Sequence, residues 1–267
     1  METDFEIIFD KLVYSCIFEK HRGNEEFIPD HFLGFQISGE THAFFDQGSM
    51  VVKENTVVFV KKNQLVRTIK YPSKNEKYQF ISITLDRETL QQYALENEIS
   101  ADSRFSGSDK LFFKSNDFFS SYFASLIPYA DKTKNASQKL ADLKIREAIE
   151  LLLQSSPDFK NILFDFSEPY KIDLEEFMNH NFMFNVSVDA FAKLTGRSLS
   201  GFKRDFKKIF HTTPKQWLKE KRLEEAHYLI KHQNKKPSDI YLDLGFENLS
   251  HFYYSFKQKF GVTTTEV

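Results

Sequence analysis

The amino-acid sequence predicts an α+β chain. A β-rich N-terminal barrel or sandwich with a helical part is followed by an all-α C-terminal domain of two helix-turn-helix units joined by a linker helix. Three observations predict this. Residues 5–85 are a succession of short β-branched and aromatic runs separated by turn residues. Helical periodicity takes over at about residue 86. From residue 189 onward the sequence repeats itself at a spacing of 50 residues. The expected domains are 1–172, comprising the β-rich part, helices over about 86–155 and a linker, and 173–267, the double helix-turn-helix.

The strands come first. LVYSCIFE (12–19), HFLGFQIS (31–38), HAFF (42–45), MVVK (50–53), TVVFVK (56–61), QLVRTIKY (64–71) and KYQFISITL (77–85) have strand composition. HRGNEEF, SGET, DQGS, KEN and PSKNE lie between them and supply the Gly, Asn, Ser and Pro of turns. Many short strands at close spacing favour a barrel or sandwich over a parallel sheet. The aromatic runs could line a ligand-holding barrel, but inward positions of small barrels are usually filled by side chains, which favours core.

The helices follow. Asp86 can cap RETLQQYALENEI, and residues 115–130 form a second helix bent or ended at Pro128. In 137–155, Leu140, Leu143, Ala148, Leu151 and Leu152 recur at helical spacing, suiting either packing on the barrel or a subunit interface. Residues 156–172 read as a linker with little regular structure, and 173–182 as a short helix.

Over residues 189–213, nine of 25 positions are identical 50 residues later, from Asp189 on Asp239 to Thr213 on Thr263. Each copy has a short helix (188–194 and 239–244), a glycine-containing break and a longer helix (198–210 and 248–260), the layout of a helix-turn-helix. Leu199, Phe202, Phe206 and Phe210 form an apolar stripe repeated as Leu249, Phe252, Phe256 and Phe260, expected to face inward. The outer face of the first long helix then carries Arg197, Ser200, Lys203, Arg204, Lys207 and Lys208. The second presents Asn248, Ser250, His251, Tyr253, Tyr254, Lys257 and Lys259, less basic and more aromatic. Short hydrogen-bonders near the helix N-terminus with cations further along suit the major groove of double-stranded DNA. Between the copies, Thr213, Pro214 and Gln216 open a helix over 214–232 of about 28 Å, against the ~34 Å between successive major grooves on one face.

Charge agrees. The net charge of −2 conceals +6 over residues 185–267 and −8 over the remainder, a basic module joined to an acidic one. Cys16 is the single cysteine, which excludes an internal disulfide framework. His21, His31 and His42 lie roughly ten residues apart, poor spacing for a metal site. Glu25-Glu26 and Glu175-Glu176 read as solvated faces, and no phosphate-loop or nucleophile-elbow motif is present, so neither metal, cofactor nor catalysis is expected. No apolar run approaches ~18 residues and the acidic N-terminus lacks a signal-peptide layout, so the cytoplasm is expected.

AFAKLTGRSLSGFKRDFKKIFHTTPKQWLKEKRLEEA and DIYLDLGFENLSHFYYSFKQKFGVTT resemble the AraC/XylS transcription regulators over about residues 185–265. Leu-Gly-Phe at 244–246 and Phe-Lys-x-x-Phe-Gly at 256–261 carry much of that likeness. The resemblance implies base-edge readers at Ser200, Lys203 and Arg204 and at Asn248, Ser250, His251 and Tyr254, with Lys207 and Lys257 on phosphates. It also implies a cupin-like N-terminal barrel that senses a small effector or mediates dimerisation. DNA is thus the expected partner; an effector, a partner protein, a second copy and RNA polymerase are left open. The alternative is a cupin-type enzyme or partner-binding module carrying a DNA-targeting domain. Tyr241, Tyr254 and His211 depart from the family pattern of alanine, arginine and glycine.

Overall fold

The computed structural model describes residues 5–9, 11–45, 48–74, 77–105, 110–130, 137–167 and 171–267. The chain divides into two compact units, residues 1–24 with 28–167, and residues 25–27 with 168–267.

In the first unit, strands β1 (Phe5–Phe9), β2 (Leu12–Ile17), β4 (His31–Ser38), β7 (Thr56–Val60), β9 (Tyr78–Leu85) and β10 (Lys110–Lys114) form a six-stranded sheet in the order β1-β2-β9-β4-β7-β10. Strands β3 (His21–Ile28), β5 (Glu40–Phe45), β6 (Gly48–Val52) and β8 (Gln64–Tyr71) form a four-stranded sheet in the order β3-β8-β5-β6. The expected β-rich domain is present, but as two separate antiparallel sheets rather than one closed barrel.

Strand alternation explains the layering. Phe32, Val58, Val60 and Phe80 of the larger sheet pack with Ala43, Phe45, Val52 and Val66 of the smaller, giving a sandwich core. The intervening Leu33, Phe35, Val57, Phe59, Ile81 and Ile83 face the opposite way, toward helices α1 (Arg87–Glu96), α2 (Asp117–Leu126) and α3 (Gln138–Ser155). The strands at the middle of the larger sheet are therefore buried on both faces. The sandwich interior is closely filled: a Cβ on Gly34 would come within 2.3 Å of the Phe80 ring. Its polar members satisfy one another. Thr41 Oγ1 donates to Gln36 Oε1 (2.7 Å), and Gln36 Nε2 donates to the Ser38 carbonyl (2.8 Å), across a register shift in β4. The aromatic runs are core.

The helices start where expected. Asp86 accepts from the Thr89 amide and Asn116 from that of Phe119. On α3, Ala141, Ile145, Ala148, Ile149 and Leu152 are the buried face. Leu140 and Leu143 are exposed, contrary to the stripe read from spacing. Residues 156–172 are not featureless. Helix α4 (Asp158–Leu163) buries Phe159, Ile162 and Leu163 in the same core. HRGNEEF, read as a turn, lies within β3, an outer strand of the smaller sheet, where one face can stay polar.

Candidate nucleic-acid interface

The second unit holds α5 (Leu174–Asn181), α6 (Val188–Leu194), α7 (Leu199–Phe210), α8 (Pro214–Gln233), α9 (Pro237–Ile240) and α10 (Leu249–Phe260). The sequence dictates each boundary. The Ser187, Ser198 and Thr213 hydroxyls accept from the Ala190, Gly201 and Gln216 amides, and Pro214 occupies the first turn of α8. His211, Asn234 and Gly261 end α7, α8 and α10 in the left-handed region. Helix α9 is a single turn beginning at Pro237, earlier than the 239–244 expected, and hydrogen-bonded turns continue it to Gly245.

Two aromatic cores flank α8. Phe206 packs on Phe210 (4.4 Å between ring centroids) and Phe210 on Trp217 (4.7 Å). In the second helix-turn-helix, Phe256 packs on Phe260 (4.7 Å) and Phe260 on His227 (4.7 Å). Phe202, Phe206, Phe252 and Phe256 are fully buried, as the stripe predicts, but Leu199 at its start is 37% exposed.

The repeat is not quite symmetrical at its turns. The Arg197 amide donates to the Ala192 carbonyl (2.9 Å), and the Phe246 amide to that of Tyr241 (2.9 Å). These matching bonds lie 49 residues apart while the caps Ser198 and Asn248 lie 50 apart, so the second turn is one residue longer. Arg197 therefore takes the structural place of Phe246 and, like it, turns inward. Its side chain is 11% exposed and donates to Asp205 Oδ2 (3.3 Å) and to the carbonyls of Ile172 (3.0 Å) and Thr195 (2.8 Å). The reading of Arg197 as an outward DNA contact is corrected: its guanidinium is committed inside the unit. Some desolvation works against it, but hydrogen bonds from Arg197 and Arg204 hold the Asp205 carboxyl below its ordinary value.

The other candidates on α7 are brought together. Ser200, Lys203, Arg204, Lys207 and Lys208 are all exposed, with the Arg204 side chain 67% accessible and its Nε 3.4 Å from Asp205 Oδ1. On α10, Asn248, Ser250, His251, Tyr253, Tyr254 and Lys257 are exposed. Two of the α10 outer-face groups are partly spent. Asn248 Oδ1 caps the helix, accepting from the Ser250 (2.8 Å) and His251 (3.1 Å) amides, and Lys259 Nζ is held by the Glu220 carbonyl and Glu224 Oε1 (both 2.9 Å).

Sequence reasoning missed three residues of α8. Lys215 borders a depression of about 510 Å³ shared with Leu199, Lys203 and Lys207. It also borders, with Lys219, a groove of about 420 Å³ reaching Asn248 and His251. Arg222 is buried; it donates from Nε to the Phe182 carbonyl (2.7 Å), from one terminal nitrogen to Phe184 (2.8 Å) and from the other to Gly245 (3.0 Å). The available signal was its spacing of four from Leu218 and Ala226, which places a cation in an apolar stripe.

His21, His31 and His42 do not converge: among the described residues no group of three His, Cys, Asp or Glu could hold a metal ion. His42 Nε2 instead pairs with Glu40 (2.8 Å). Among the described residues no helix is long and apolar enough to cross a membrane.

Comparison with known proteins matches residues 191–267 to a helix-turn-helix domain model and residues 31–163 to the ExsA N-terminal regulatory domain. The chain is 30% identical over 129 residues to the virulence regulon transcriptional activator VirF of Yersinia enterocolitica, covering 48% of each chain. It is 29% identical over 126 residues to the HTH-type transcriptional regulator ExsA of Pseudomonas aeruginosa, covering 46% of this chain and 45% of that one. The chain thus spans about half the length of the curated relatives it matches. A crystal structure of apo ToxT from Vibrio cholerae aligns over 97% of both chains at 13% identity and a TM-score of 0.47. Both of its regions are thus matched: the chain carries a helix-turn-helix domain and an ExsA-type N-terminal regulatory domain, the pairing that its resemblance to the AraC/XylS transcription regulators implies.

Proposed function

We propose that this chain is a sequence-specific DNA-binding transcription regulator. Its helices α7 and α10 would enter successive major grooves of one duplex. The observation that carries this reading is the pair of capped helix-turn-helix units on one connecting helix, with the cations of α7 displayed rather than paired inside. Ser200, Lys203 and Arg204 would meet base edges from α7. Ser250, His251 and Tyr254 would do so from α10, with Asn248 contributing its amide NH₂. Lys207, Lys257 and Lys215 would hold phosphates, and Tyr253 would lie against the backbone. Helix α8, about 30 Å long over its 20 residues, supports the spacing.

Residues 173–267 would act as the DNA-binding domain and 1–172 as the regulatory domain, in keeping with the ExsA-type match. That domain would respond to a small effector, a partner protein or a second copy, the exposed Leu140 and Leu143 of α3 offering the surface for a homodimer. RNA polymerase would be the downstream partner, the protein would do no chemistry of its own, and the cytoplasm would be its compartment. The test is selection of duplexes by the full chain from a random pool, followed by binding across a salt series. A recovered motif with two sites about one turn apart supports the reading. A steep salt slope without sequence preference overturns it.

A further inference from the structure

The two long helices do not carry the same chemistry, and the difference points to what each half of the operator contains. On α7 the outer face has Lys203, Arg204 and Lys207, cations that can reach the O6 and N7 acceptors of guanine. On α10 no lysine or arginine occurs before Lys257, and the next, Lys259, is tethered to Glu220 and Glu224 of α8. Asn248 could pair with adenine through both ends of its carboxamide, but its oxygen already accepts two backbone amides, so only the NH₂ remains. Beyond Ser250 and His251 in its first turn, what α10 displays is aromatic: the Tyr254 ring is 66% exposed and Tyr253 41%. A large ring on an outer face matches one feature of the major groove, the thymine C5-methyl, which is read by apolar contact.

We infer that the two half-sites differ in kind: α7 reads a guanine-containing half-site, while α10 reads an A·T-rich one in which Tyr254 packs on a thymine methyl. This rests on the DNA-binding reading and extends it to base composition.

The experiment uses the full chain and the motif it selects from random duplexes. The expected motif has an invariant guanine in one half-site and A·T pairs without an invariant guanine in the other, about one helical turn away. Replacing thymine by uracil in the A·T-rich half-site should then raise Kd about fourfold for the contacted methyl, the factor expected for one buried carbon. Tyr254→Ala should abolish that methyl dependence, Tyr254→Phe should keep it, and Tyr254→Arg should add a preference for guanine. Because Tyr254 is mostly exposed, these variants should melt with the parent protein. Invariant guanines in both half-sites, or equal affinity for thymine and uracil duplexes, would overturn the inference while leaving DNA binding intact. Failure to select any sequence would instead overturn the reading on which it rests.

Discussion

Arg222 and Gly245 form a lock between the two helix-turn-helix units. The Arg222 guanidinium donates to the Gly245 carbonyl at 3.0 Å, while its other nitrogens hold Phe182 and Phe184, which precede the first unit. Gly245 sits at φ +75°, and a Cβ there would lie 2.7 Å from both Arg222 Cζ and the Met183 carbonyl oxygen. One buried cation thus ties the approach to the first unit to the turn of the second.

Removing that cation should be costly. Arg222→Met leaves three inward carbonyls without their donor, at about 1–3 kcal/mol for each that water cannot reach. Gly245→Ala adds positive-φ strain to a steric clash and should cost more than the ~1 kcal/mol of strain alone. Urea unfolding of the full chain measures both. Unchanged midpoints would show that the clamp contributes nothing to stability.

Two neighbouring arginines should behave oppositely. Arg204→Ala should leave the melting temperature in place and weaken operator binding by about 1–3 kcal/mol, more than Tyr254→Ala does. Arg197→Ala should lower stability by about 1–3 kcal/mol, since it takes one of two arginines from Asp205 and the donor from two carbonyls. Parallel melting and binding titrations separate the two, and equal losses on Arg204→Ala and Tyr254→Ala would contradict a larger contribution from α7 than from α10.

The α3 helix offers a sharper contrast. Leu152 is fully buried, so Leu152→Ala should cost about 2–5 kcal/mol. Leu143 is 60% exposed, so Leu143→Glu should change stability by less than about 0.5 kcal/mol. If the outer face joins two copies, sedimentation should show Leu143→Glu as a monomer where the parent is a dimer. A parent that sediments as a monomer would remove that role from α3.

Stability should fall in mild acid through His31. Burial, with the nearby charges of Lys62 and Lys61, pushes this imidazole from 6.5 down to about 3. Its Nδ1 accepts from the Lys62 amide at 3.1 Å, its ring stacks on Phe59, and its Nε2 is buried without a hydrogen-bond partner. The folded chain keeps it neutral, whereas the unfolded chain takes up a proton below about pH 6.5. Its contribution is complete above that pH and drains away toward about pH 3, at about 1.4 kcal/mol per unit. Urea titrations should therefore show about 2 kcal/mol lost between pH 7 and pH 5, and His31→Phe should flatten that slope. An identical slope in the variant would assign the acid sensitivity elsewhere.

Much of this architecture is legible in the sequence where a residue's role depends on near neighbours. Caps such as Asp86 and Thr213 act within three residues, and the Phe stripes of α7 and α10 act within one helix. What stayed hidden depends on partners far along the chain. Arg197 looked outward because its bonds to Ile172 and Asp205 close only after the turn forms. Arg222 went unremarked on a charged helix, since its acceptors lie 23 to 40 residues away. Strand β3 was disguised by Gly23, Asn24 and its charges, which an outer strand tolerates. Helix α4 was missed because six residues are too few to show a period.

The continuity of α8 gives α7 and α10 a common phase. Its first turns pack on the Phe206 cluster and its later ones, Leu223 and Ala226, on the Phe252 cluster, so a single helical phase sets the heading of both long helices. Inserting one residue between Lys219 and Arg222 would rotate α10 by about 100° relative to α7 and advance it about 1.5 Å. Under the proposed DNA-binding reading, α7 and α10 would thus demand one fixed separation of their two half-sites.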